Sequence, residues 1–294
     1  MCKEAIVSYL RACLAIGLLA TALATTSNAA NSMNVILART DDFLAPSYPF
    51  AFGIEINVPD VLGITAIDVS VAGGGSVALH SDDPGRWSHD ARYADLAAMQ
   101  ADVDGTWTVN ISGTDPSSSS FTLQANLLED ADFFATATGL NPPNSAVGVS
   151  PGSIVSWVPP AGGASADGLF VRVDGNSIYQ DDNSVLGGLS TSDTSWAPPQ
   201  PLASGQNEYS VGYYNIDDSF ITALSVLSGS IIWGASEFVP TSYASQTPLL
   251  ALGSETIVSF TVAPEPNSLF LLACGGLGGL VWHFRKRRRF ARTG

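Results

Sequence analysis

Apolar and polar positions alternate with a period of two through much of the chain. Phe52, Ile54, Ile56 and Val58 alternate with Gly53, Glu55 and Asn57, which predicts a half-buried strand stopping at Pro59. Residues 67–71, the glycines 73–75 and residues 77–79 predict strand, turn and strand. Asp104-Gly105 opens another strand, with Trp107, Val109 and Ile111 on one face and Thr106, Thr108 and Asn110 on the other. Phe121, Leu123 and Ala125 resume the pattern after a loop at 117–120. One stretch changes period: Tyr93, Leu96, Ala97 and Gln100 stand three and four apart, predicting a short helix over 91–101.

The chain changes character at Thr138-Gly139-Leu140-Asn141-Pro142-Pro143, where a boundary is expected. Beyond it lie a strand carrying Trp157, a Val171-Arg172-Val173 strand, a loop through Asp181-Asp182-Asn183, then Trp196. A strongly alternating Tyr209-Ser210-Val211-Gly212-Tyr213 strand follows. Residues 220–262 add two or three more, for instance 231–233 and 257–260. The predicted fold class is all-β: two β-sandwich modules, residues 31–138 with the short helix and residues 139–262. Across 140–227 the Trp strand, Val-x-Val strand and Tyr-x-Val-x-Tyr strand resemble fibronectin type III and immunoglobulin-like sandwiches, which implies a scaffold and no chemistry.

The two ends read differently. Lys3 and Arg11, an apolar run over 12–24 and a small polar stretch to Ala30 have the order of a secretory signal peptide (residues 1–30), with cleavage after Ala29 or Ala30. The apolar run makes roughly 20 Å of helix, short of a bilayer core of about 30 Å. At the other end, residues 263–294 hold Pro264-Glu265-Pro266, an apolar run from 269 and the basic cluster Arg285-Lys286-Arg287-Arg288-Arg289. That order predicts a stop-transfer helix whose cations stay in the cytoplasm. Four glycines at 275, 276, 278 and 279 weaken it by up to about 1 kcal/mol each relative to Ala, which suits a segment made to be cut.

This tail resembles the PEP-CTERM sorting signal. The resemblance implies an integral-membrane exosortase that recognises the tail and cleaves near Pro264-Glu265-Pro266, with signal peptidase acting at the front. Family members more often carry Ser or Thr directly after the second Pro, whereas here Asn267 precedes Ser268.

Composition then narrows the function. All 3 cysteines, Cys2, Cys13 and Cys274, fall in the two ends, so a processed chain has no disulfide, thiolate nucleophile or cysteine metal site. Eight of the 12 Lys and Arg also fall there. Residues 31–263 keep Arg39, Arg86, Arg92 and Arg172 against 25 carboxylates, a charge near −21. Such a field repels nucleic acid and anionic membranes and favours divalent or basic partners.

Candidate chemistry is sparse. No G-x-S-x-G elbow occurs, Gly163-Ala164-Ser165-Ala166-Asp167 differing in its last residue, and a Ser-His-Asp triad would have to draw on His80 or His89. Those histidines, with Asp82, Asp83 and Asp90, make residues 79–90 a polar loop that fits no zinc spacing. Asp102-Val103-Asp104-Gly105 imitates part of an EF-hand, but Gln100 and Ile111 occupy positions needing carboxylates. No cofactor is required, although Asp181, Asp182, Asp217 and Asp218 are candidates for a loop-borne calcium ion. Trp87 and Trp196 are candidates for stacking on sugar rings.

The expectation is an exported, non-enzymatic structural or adhesive protein of the cell surface or matrix. Its expected partners are exosortase and signal peptidase during processing, with transient inner-membrane association, and exopolysaccharide or other surface proteins afterwards. The alternatives are a carbohydrate-binding module or glycan-active enzyme on a sandwich scaffold, and a calcium-dependent adhesion protein.

Overall fold

The computed structural model describes residues 31–43, 45–58, 63–72, 74, 76–83, 85–173, 176–180, 189–229, 231, 233 and 248–263. Both expected terminal segments, with Ala29, Ala30, Pro264, Glu265, Pro266 and Arg285 to Arg289, lie outside them, as do Asp181 and Asp182. Among the described residues no helix is long and apolar enough to cross a membrane.

The described chain is mostly β. It runs β1 (Ser32–Asp42), β2 (Phe50–Asn57), β3 (Ile64–Val71), β4 (Ser76–Ala78), β5 (His80–Asp83), β6 (Arg86–Tyr93), α1 (Leu96–Val103), β7 (Gly105–Gly113) and β8 (Ser117–Leu123). It continues with β9 (Thr138–Asn141), β10 (Ala146–Val149), β11 (Val155–Val158), β12 (Gly168–Val173), β13 (Asn176–Gln180) and β14 (Ser195–Trp196). The series closes with β15 (Gly205–Ile216), β16 (Ser225–Ser228) and β17 (Leu249–Val262).

These strands form three sheets. A nine-stranded sheet has the order β13-β12-β15-β17-β1-β2-β6-β5, with β10 beside β17; a five-stranded sheet runs β16-β8-β7-β3-β4; a three-stranded sheet runs β14-β11-β9. The large sheet takes strands from both sides of the boundary expected near residue 138, because β17 lies between β15 and β1. The two sandwich modules are therefore joined through one sheet. β1 and β17 run parallel over nine register pairs, from Asn34 opposite Leu249 to Asp42 opposite Ile257.

One face of the large sheet carries both main cores. Met33, Val35 and Leu37 of β1, the even positions of β2, and Leu250 and Leu252 of β17 meet the inward side chains of the five-stranded sheet, among them Ile67, Val69, Trp107 and Phe121. Trp107 stacks between Phe52 and Phe121, its centroid 5.2 and 6.2 Å from theirs. Val258, Phe260 and Val262, farther along the same face of β17, join Tyr209, Val211 and Tyr213 in the second core under Val155, Trp157 and Trp196. Trp157 Nε1 donates to the Tyr213 hydroxyl at 2.8 Å, so neither buried polar atom is stranded.

Between the cores this face of β17 turns polar, at Ser254 and Thr256. The reason is the chain crossing above them: the Ser254 hydroxyl donates to the Ala135 carbonyl at 2.9 Å and the Thr256 hydroxyl to the Ala137 carbonyl at 2.7 Å. The crossing segment splits its side chains between the cores. Phe133 meets Phe50 edge to face at 5.6 Å in the first, and Phe134 meets Tyr213 at 6.5 Å in the second.

Three local expectations are corrected. The helix spans Leu96–Val103 rather than 91–101: residues 91–93 stay in β6, paired to β2, and Asp95 caps the helix by accepting from Ala98 N at 2.7 Å. Residues 117–120 are strand rather than loop, with Ser117 and Ser119 turned inward and buried. The polar stretch 79–90 is mostly the β5–β6 hairpin, turned at Gly85 with φ 79°.

Candidate functional site

The strand parity that sends Val35, Leu37, Ile54 and Leu252 into the first core sends Asn34, Thr40, Asp42, Glu55 and Glu255 to the second face of the large sheet. On β6, paired to β2, the same parity puts Arg86, Ser88, Asp90 and Arg92 there, and on β12 and β15 it puts Arg172 and Ser210. Three of the four arginines between residues 31 and 263 thus share one face with a set of carboxylates. Arg86 Nη2 pairs with Glu55 Oε2 at 2.6 Å, and Asn57 Nδ2 donates to the other carboxylate oxygen at 2.8 Å. Arg92 Nη1 stands 2.8 Å from Asp42 Oδ2. Asp42, Glu55, Arg86 and Glu255 are all buried.

Glu255 is the most perturbed member. Its neighbours in register are Thr40 on β1 and Gly212 on β15. Its carboxyl is raised from 4.5 to about 7, chiefly by burial, with Arg92, Ser210 and Arg172 opposing the rise and Asp42 adding to it. A carboxyl so placed exchanges a proton near neutral pH, on the same face as the Arg86–Glu55 and Arg92–Asp42 ion pairs. An apolar cluster lies on the same face: Ile36, Ala51, Tyr214, Ile216, Leu249 and Ala251. Beside it the Phe170 ring covers Gly212, and the Tyr214 ring covers Gly168, where a Cβ would lie 2.1 Å from ring carbons.

The remaining arginine takes a different partner. Arg39 pairs with Asp130 and lies 5.7 Å from the centre of the Phe50 ring. None of these residues stood out in the sequence as a site. The available signal was scarcity: of four arginines among 25 carboxylates, Arg39, Arg86 and Arg92 each pair with one.

The residues singled out beforehand are scattered. His80 pairs with Ser88 and points to the second face, exposed, whereas His89 points to the first; two histidines on opposite faces of a hairpin cannot share a metal. Burial lowers the His89 pKa, partly offset by Asp102. Asp102 accepts from the Tyr93 hydroxyl at 2.6 Å and Asp104 from Asn126 N at 3.0 Å, so both serve local structure. Asp167 likewise accepts from Ile216 N at 2.8 Å. Asp217 caps a short turn by accepting from Ser219 N at 2.9 Å, and Asp218 beside it is exposed. Among the described residues no three His, Cys, Asp or Glu side chains gather as metal ligands. Trp196 is buried in the second core, and Trp87 packs half-buried against the first.

The class these features define is a mostly-β protein with two cores resting on a shared nine-stranded sheet. No family model matches the chain, and no curated protein matches it. Among solved structures it is similar to the FN1–FN3 domains of chicken CNTN1, at 10% identity over 63% of this chain and 60% of that one, with a TM-score of 0.20. An overlap that small carries no argument about fold or activity.

Proposed function

We propose that this chain is the precursor of an exported, non-catalytic protein of the bacterial surface or its matrix, with a structural or adhesive role. The carrying observation is the order Pro264-Glu265-Pro266, apolar run and Arg285 to Arg289, matched by a leader over residues 1–30. The resemblance to the PEP-CTERM signal makes exosortase the processing partner and leaves an acidic sheet protein outside the membrane. The remainder of the chain agrees with that role. Three of its four arginines pair with carboxylates, and its surplus negative charge stays to keep the protein soluble and open to basic or divalent partners.

Mass spectrometry of the native protein, by cellular fraction, tests the reading. The expected product begins at Ala30 or Asn31, ends near Pro264 to Pro266 and is found outside the cytoplasmic membrane. Recovery of residues 269–294 in the surface product would make the tail an anchor. An intact chain soluble in the cytoplasm would overturn the proposal.

A further inference from the structure

Among the described residues, the first strand and the last are both interior strands of one sheet. β1 is held between β2, over eight register pairs, and β17, over nine. β17 is held between β15, over twelve pairs, and β1, with β10 taking over beside residues 260–262. β1 and β17 run parallel, so Ser32 opens β1 at the end where Leu249 opens β17, and Val262 closes β17 five residues past the last β1 pair.

That geometry fixes how tension is borne. Force entering before Ser32 and leaving after Val262 pulls β1 and β17 in opposite directions along their own axes. Every rung of a ladder about 30 Å long is then loaded at once, because sliding by less than a hydrogen-bond length disrupts all of them. Pulling on both strands from the same end would load one rung at a time. The side chains reinforce the shear direction, since β1 is packed on both faces: Val35 and Leu37 in the first core, Ile36 in the cluster opposite.

We propose that the β1–β17 pair is a shear clamp, and that this protein bears mechanical load transmitted along the chain through residues 31 and 263. The load-bearing role rests on the surface reading above, in which a sorted protein meets tension through the segment after β17; the clamp itself rests only on the topology.

Single-molecule force spectroscopy on the full-length chain tests it, with handles placed at unnatural residues. Handles at positions 31 and 263 shear the ladder; handles at 31 and 247, or at the exposed Phe43 and 263, peel the same two strands from one end. The 31/263 geometry should rupture at a force at least about twofold higher than either peeling geometry at the same loading rate, because forced unfolding follows the barrier and the barrier here holds many hydrogen bonds together. Urea midpoints of the three labelled chains should coincide, which shows that the handles leave the fold intact. Equal rupture forces with coincident midpoints would overturn the clamp. If one peeling pair alters the midpoint, the other supplies the comparison. A failed clamp leaves the processing products untouched, and an unprocessed tail leaves the rupture forces untouched, so the two proposals fail separately.

Discussion

Glu255→Gln removes a carboxyl that titrates where few carboxyls do, and its effect on stability should reverse the usual dependence on pH. In the fold this group binds its proton up to about 7, against an ordinary 4.5. Between those values the folded chain holds a proton that the unfolded chain has released, so stability falls as pH rises through the window. Below the lower value both states are protonated and the group costs nothing; above the upper one the full cost is present. The difference corresponds to about 3 kcal/mol, since each unit of displacement is worth about 1.4 kcal/mol. For a domain of this size that is roughly 6–12 °C in melting temperature. Melting curves of the wild type and Glu255→Gln, collected from pH 5 to pH 8.5, isolate the group, because the opposing contribution of His89 is common to both. The variant should gain on the wild type steadily as pH rises. A constant offset across the range would show that Glu255 is ionised in the fold at its ordinary value, and the electrostatic description of the second face would be wrong.

Three further outcomes are expected. Trp157→Phe removes the donor to the Tyr213 hydroxyl and should cost about 1–3 kcal/mol in urea unfolding, with Tyr213→Phe in the same chain recovering part of that loss. Trp196→Ala should destabilise by about 3–5 kcal/mol, as for any buried aromatic truncated to alanine, and should not selectively abolish binding on a glycan array. Gly212→Ala drives a methyl into the Phe170 ring and should cost about 1–3 kcal/mol, whereas Phe170→Leu together with Gly212→Ala should cost less than the sum of the two single changes.

The half-buried strands were legible because one face is dry and the other wet. β3 and β7 lie where the alternation of Ile67 to Val71 and Trp107 to Ile111 places them; β2, expected to be half-buried, is buried on both faces and was legible because its second face carries Gly53, Glu55 and Asn57. β1 was not legible for the opposite reason. Its Val35-Ile36-Leu37-Ala38 core is packed on both sides, so no alternation survives, as is usual for a strand with a parallel partner in the middle of a sheet. Without β1 the union of the two halves was invisible, since that union depends on pairing strands that lie about 215 positions apart. The serines at 117 and 119 misled because small polar residues signal loops, yet here they pack inward, where Ser119 accepts from Trp233 Nε1 at 2.9 Å. The charged face escaped notice since its members are single residues on different strands, and only register brings Glu55 to Arg86 or Asp42 to Arg92.

The pairing of β1 with β17 also dictates an order of events when the chain folds. Its partners are about 215 positions apart in sequence, so the loop they close is among the longest the molecule can make, and long-range contacts of this kind slow folding. Leu250 and Leu252 belong to the first core, so even that core stays incomplete until the last strand has been synthesised. A polypeptide with this wiring remains unfinished while it is being made and locks into shape only after β17 arrives.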